Sequence, residues 1–218
     1  MIRSEKDRGF SLIELIVVIA IMVVMLGIIG YSLGMLFGAE ARQGARKMDA
    51  QLNDIKTGAM SRAAEYMLVG YIDLDDDGDG KVSKAEQNSW AGVGVDKPGY
   101  YAVKSIATID NATDILKAVE GVEYNRIGSS KVTIALGNGD TLAVDDSSAF
   151  KIEYKRSTGE LEKILVGTMS VTSDGKSSSF TEDHSVDITE TTDNMTFTSG
   201  MRTYTITFTE GTGKHTLQ

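Results

Sequence analysis

Gly9-Phe10-Ser11-Leu12-Ile13-Glu14 opens a stretch in which no charged residue follows Glu14 until Glu40. The run from Leu15 to Ala39 is apolar enough to predict a membrane helix. A helix from Phe10 to Phe37 would extend about 42 Å at 1.5 Å per residue, more than a bilayer core requires. An ordinary secretory signal has an apolar core of about 7–15 residues, and this run is longer. Ahead of it, Arg3, Lys6 and Arg8 outnumber Glu5 and Asp7 in the segment Met1–Gly9. A positive flank of this kind stays cytoplasmic and directs the rest of the chain outward. Glu14 is the anomaly, because an ionisable group in a span costs about 2.5–3.5 kcal/mol on insertion scales and marks a functional position.

Gly before Phe, then Ser-Leu-Ile-Glu and a long apolar helix, closely resembles the prepilin signal of type IV pilins and type II secretion pseudopilins. The resemblance covers Gly9 to about Gly38. It implies that a prepilin peptidase cuts between Gly9 and Phe10 and N-methylates Phe10. The mature chain would be Phe10–Gln218. It also implies that Glu14 aligns subunits by pairing with the terminal amine of a neighbour. Such a pairing offsets the desolvation of both charges in a low-dielectric filament core. The expected function is a structural subunit of a type IV pilus, polymerised through the N-terminal helix. Expected partners are further copies of the chain, the prepilin peptidase and the pilus assembly machinery, with the cytoplasmic membrane holding the precursor before it joins a surface filament. A pseudopilin of a secretion or competence system is the alternative within the family. An unprocessed, membrane-anchored calcium-binding surface protein is the alternative outside it. Adhesion, motility and secretion are the tasks such filaments perform.

One departure from the family concerns the stem. Many pilins carry a proline in this helix, whereas the only proline here is Pro98. Gly27, Gly30, Gly34 and Gly38 remain as points for either local unwinding or close helix approach.

Helical character continues past the apolar run. Met48, Leu52, Ile55, Ala59, Ala63 and Tyr66 recur every three or four residues, an apolar stripe that requires a partner surface. One helix from Phe10 to Met67 would be about 87 Å long. The organisation expected is a leader over 1–9, a membrane or filament-core half of the helix over 10–38, an amphipathic half over 39–68, and a head over 69–218. The fold class expected is α+β: a long N-terminal helix packed on a mainly antiparallel β-sheet head.

The segment Asp73–Glu86 holds six carboxylates against Lys81 and Lys84. Counting from Asp73 puts Gly78 at position six but Lys84 at twelve. Counting from Asp75 puts Asp75, Asp77 and Asp79 at one, three and five, Gly80 at six, the Lys81 carbonyl at seven, Ser83 at nine and Glu86 at twelve. The second register fits an EF-hand-type calcium loop, in which alternate oxygens converge, glycine makes the sharp turn and the final glutamate closes the shell. Calcium is therefore the expected cofactor, in a loop grafted onto the head without two long flanking helices.

From Tyr100 the pattern alternates with period two. Tyr101–Ile106 reads as a strand, and Asn111–Val119 as a short helix. Lys131–Leu136 with Thr141–Val144, and Phe150–Tyr154 with Leu161–Val166, read as hairpins. Gly167–Asn194 reads as loop. Met195–Thr198 is expected to pair with Thr203–Thr209, whose Tyr204, Ile206 and Phe208 point inward.

Composition narrows the rest. The formal net charge is −9, which argues against nucleic acid and does not favour adsorption to anionic lipid. There is no cysteine, so neither a disulfide nor a thiolate site is available. No apolar span lies near Gln218, so anchoring is expected from the N-terminal helix. His184 and His215 lack metal-ligand spacing, and no nucleophile elbow or phosphate loop is present, so no enzymatic activity is expected.

Overall fold

Leu12–Ser61 forms one continuous α-helix, α1, of 50 residues, about 75 Å long. The computed structural model describes residues 12–61, 66–75, 77–105, 116–117, 122–144, 147–171, 177–186, 194–209 and 211–218 (side chains at 28–37, 105, 116–117, 122 and 177–179 excepted). Gly9 and Phe10 lie outside the described residues. The helix has two physical halves. From Leu12 to Leu26 its large apolar side chains are all exposed. From Gly38 onward one face is buried, along Ala41, Ala45, Met48, Leu52, Ile55 and Ala59, each fully inaccessible. Among the described residues no helix is long and apolar enough to cross a membrane.

The buried face enters a core built by two antiparallel sheets. The first holds β1 (Tyr66–Ile72), β2 (Gly99–Ser105), β3 (Leu116–Lys117), β4 (Val122–Gly128), β7 (Ser148–Tyr154), β8 (Leu161–Val171) and β9 (Ser177–Val186), in the order β3-β9-β8-β7-β1-β2-β4. The second holds β5 (Thr133–Leu136), β6 (Thr141–Leu142), β10 (Asn194–Ser199), β11 (Arg202–Thr209) and β12 (Lys214–Leu217), in the order β12-β11-β10-β5-β6. Met48, Leu52 and Ile55 share one cluster with Met67, Val69, Phe150 and Ile152 of the first sheet and Phe197, Ile206 and Phe208 of the second. Each large side chain withdrawn from water contributes about 1.5–3 kcal/mol.

Polar contacts flank this seam and set the helix register. Lys104 pairs with Asp54. Asn125 Nδ2 donates to Gln51 Oε1 at 3.1 Å, and Lys47 Nζ to the Arg126 carbonyl at 3.0 Å. On the opposite flank His215 Nε2 lies 3.3 Å from the Asp49 carbonyl.

The far face of the first sheet is also covered. Leu68, Ile72, Tyr101, Val103 and Met169 pack there with Leu74, Trp90 and Val95. Trp90 comes from the short helix α2 (Lys84–Ala91). In β1, Met67 and Val69 face α1, while Leu68 and Ile72 face α2.

Three expectations need correction. Tyr66–Leu68 is strand, not the end of the helix: α1 stops at Ser61, and a short apolar run buried on both faces does not distinguish strand from helix by periodicity. Ala63, of the expected stripe, lies outside the described residues. Leu116–Lys117 is strand β3 paired with Ser177–Ser178, not helix, and 111–115 and 118–119 lie outside the described residues. Within Gly167–Asn194, Gly167–Val171, Ser177–Val186 and Asn194 itself are strand, the first two held by backbone pairing along β8–β9 that Ser and Thr side chains permit. Strands β4 and β12 have no counterpart among the expected elements. The hairpins β5–β6, β7–β8 and β10–β11 form as expected, with Met195 opposite Ile206.

Leu52→Ala should lower stability by about 2–5 kcal/mol, since it opens a cavity between helix and both sheets. Chemical denaturation of the chain in detergent measures it, and an unchanged midpoint would contradict the packing described.

Candidate functional site

The acidic segment connects β1 to α2, so a strand enters it and a helix leaves it. Its turns are made by aspartates accepting nearby backbone N–H groups. Asp75 takes Gly78 N–H on Oδ1 at 2.8 Å and Gly80 N–H on Oδ2 at 2.7 Å. Asp77 takes Asp79 N–H at 3.1 Å, and Asp79 takes Lys81 N–H at 2.7 Å. Gly78 and Gly80 have φ of 72° and 78°, and an added Cβ at either would meet nothing within 4 Å. Backbone conformation rather than crowding therefore requires glycine at both.

Ser83 ends the loop and starts α2 as its N-cap. Its Oγ accepts Glu86 N–H at 3.3 Å, while Glu86 Oε2 accepts Ser83 N–H at 2.7 Å, a reciprocal capping box. The box swings Glu86 back over the loop. As a result Asp75, Asp77 and Glu86 each bring a carboxylate oxygen within 4.8 Å of the others. Asp79, Lys81 and Ser83 lie in the same turn but are not part of that converged group.

Such a gathering of carboxylates is electrostatically unfavourable. Asp79 N–H lowers the pKa of Asp77, but the Asp79 carboxylate, desolvation and the Glu86 carboxylate raise it, and the net shift is upward. Hence the ionised form of Asp77 is disfavoured in the folded loop.

Trp90 ties the loop to the core. It is buried, and with Tyr71, Ile72, Asp73 and Asp75 it lines a cavity of about 220 Å³ beside the loop. Its Nε1 finds no partner among the described residues. Neither Trp90 nor the capping box figures among the sequence-derived site residues, although Ser83-x-x-Glu86 is a readable helix-start signal.

Glu14 lies in the first turn of α1 and is exposed, where the helix dipole favours a carboxylate. It stands far along the helix from the acidic loop, so the two features are separate. Residues 5–30 match the family model of the prokaryotic N-terminal methylation motif. That motif is the signal of type IV pilin- and pseudopilin-type substrates of the prepilin peptidase, and here it covers the N-terminal segment alone. No curated protein and no solved structure matches it. The motif ends within α1, at residue 30, and does not reach the head. His184 and His215 are used structurally: His184 Nε2 lies 2.8 Å from Asp140 Oδ2, and His215 lies against Asp49.

Asp77→Asn should stabilise the protein at neutral pH in the presence of a chelator. The raised pKa means that Asp77 contributes most below the ordinary aspartate value of 3.8 and loses that contribution as pH rises through its folded value. The gain from the substitution should therefore vanish below about pH 4. Thermal melts across pH test this, and a destabilised variant at pH 7 in chelator would contradict it.

Proposed function

We propose that this chain is a structural subunit of a type IV pilus. The prepilin peptidase removes Met1–Gly9, Phe10 becomes the methylated terminus, and α1 holds the precursor in the cytoplasmic membrane until it enters the filament. The observation that carries this proposal is the division of α1. Its motif-bearing half exposes Leu12–Leu26, and its other half is cemented into the head through Ala41–Ala59. An apolar, unpartnered half-helix rigidly joined to a folded head is what helix-bundle polymerisation requires. Glu14 then supplies the one charge in the stem that selects register, by pairing with a neighbour's terminal amine. The role is structural rather than catalytic, and the partners are copies of the chain and the assembly machinery.

Mass spectrometry of the purified protein should find a methylated Phe10 terminus, and Gly9→Val should leave Met1–Gly9 in place. Glu14→Leu should be processed normally but lose filaments. An intact Met1 in the wild type would support the unprocessed surface-protein alternative. Abundant sheared fibres made of this chain separate a pilus subunit from a pseudopilin.

The acidic loop would bind calcium through Asp75, Asp77, Asp79, the Lys81 carbonyl, Ser83 and Glu86. Supporting this is the convergence of Asp75, Asp77 and Glu86 oxygens, a hard-oxygen donor set whose mutual repulsion a divalent cation relieves. Calcium would thereby lock α2 and Trp90 against the sheet, in a chain with no cysteine to staple it. Extracellular modules of this kind bind at about 10⁻⁴–10⁻³ M. Trp90 is the sole tryptophan and lines the adjoining cavity, so its emission should shift on calcium addition in that range. Glu86→Gln keeps an acceptor for the cap but removes charge, and should weaken binding at least tenfold, by analogy with a lost charge-assisted contact. No change in emission and no heat on titration would refute calcium binding.

A further inference from the structure

The chain is acidic overall, yet three arginines converge at one place on the head. Arg42 and Arg46, one turn apart on α1, and Arg202 at the start of β11 line a cavity of about 420 Å³, together with Gly38 and Tyr204. None of the three arginines has an ion pair or hydrogen bond among the described residues. Glu40, in the same helix turn, accepts the Ser129 hydroxyl at 2.6 Å instead. The site depends on close packing: a Cβ at Gly38 would come within 2.8 Å of Arg202 Cγ, so only glycine lets the guanidinium stem lie across the helix.

Position supplies the ligand. Phe197 packs at Gly44 and Arg202 at Gly38, so the β10–β11 hairpin runs toward the N-terminal half of α1, and its tip lies where the head stops. At that tip Met201 is fully exposed (relative accessibility 102%). The charge-free sequence Leu15–Ala39 ends at the same level. Cations around a cavity, a protruding thioether and an adjoining apolar helix form the profile of a surface resting on a bilayer, where phosphates lie beside an apolar layer. An acidic partner would answer the arginines but not Met201.

We infer that the base of the head docks on the membrane before assembly, with a lipid headgroup phosphate held by Arg42, Arg46 and Arg202 and Met201 inserted beside it. This rests on the membrane-held precursor proposed above. The net charge of the whole chain does not favour adsorption to anionic lipid; the arginines reverse that locally. Docking would hold the head in one orientation relative to its stem and would be released when the stem leaves the bilayer.

The absence of native cysteine makes the test direct. The full-length chain, one copy per nanodisc containing phosphatidylglycerol, carries a spin label at Met201→Cys or, separately, at Ile19→Cys. Accessibility to lipid-soluble oxygen and to a water-soluble nickel complex reports depth. The label at 201 is expected at the interface. Its ratio of docked to undocked head should fall about fivefold for each arginine changed to glutamine, following about 1 kcal/mol per cation at an anionic surface. Lysine at all three positions should largely restore docking, and the variants should keep wild-type circular dichroism. A label at 19 in lipid with a label at 201 in water would overturn this inference alone. A label at 19 in water would overturn the membrane-held precursor and this inference with it. Shielding at 201 that follows protein concentration rather than lipid charge would assign the cavity to a second copy and overturn lipid docking.

Discussion

Everything in the head is arranged around the burial of one stripe of α1. Ala41, Ala45, Met48, Leu52, Ile55 and Ala59 lie at helical spacing and disappear completely into the seam between two sheets. Alanines at 41 and 45 let the helix approach closely near the base, and the larger Met48, Leu52 and Ile55 fill the wider interior. Because the stripe contacts both sheets, it fixes their relation to each other as well as to the stem. The polar residues beside it, Gln51, Asp54 and Lys47 on one flank and Asp49 on the other, each meet a strand partner and oppose rotation of the helix.

The same constraint explains why the acidic loop has a rigid footing. Covering one face of the first sheet with α1 leaves the other face apolar at Leu68, Ile72, Tyr101 and Val103. Helix α2 covers it, and Trp90 is the anchor. The loop bridging β1 to α2 therefore starts from a strand locked by α1 and ends on a helix locked by Trp90. Its carboxylates converge because their scaffold is fixed at both ends, at the cost of the repulsion that raises Asp77.

What was legible in the sequence follows the physics of each segment. Met48, Leu52, Ile55 and Ala59 could be read because a one-sided helix writes its period into the chain. Ile206 and Phe208 could be read because β11 buries one face and alternates. Tyr66–Ile72 could not, since a strand buried on both faces carries no alternation. Ser177–Val186 was hidden because its strand state rests on pairing with β8, a long-range fact, while its composition resembles a loop. The acidic loop was legible from spacing alone, yet the reach of Glu86 over it depends on the Ser83 cap. The arginine cluster was invisible because Arg202 lies far along the chain from Arg42 and Arg46, and a whole-chain charge conceals a local reversal of sign.

In the function proposed here, α1 is a polymerisation element carrying the head at one end. Electron cryomicroscopy of fibres sheared from cells producing the chain tests it most directly. The account predicts a core of bundled α1 helices beginning at Phe10, Glu14 next to a neighbouring chain's terminus, and the two-sheet head outside. Cells that retain all of the protein with Met1–Gly9 attached, or fibres whose core is built from the sheets, would contradict it.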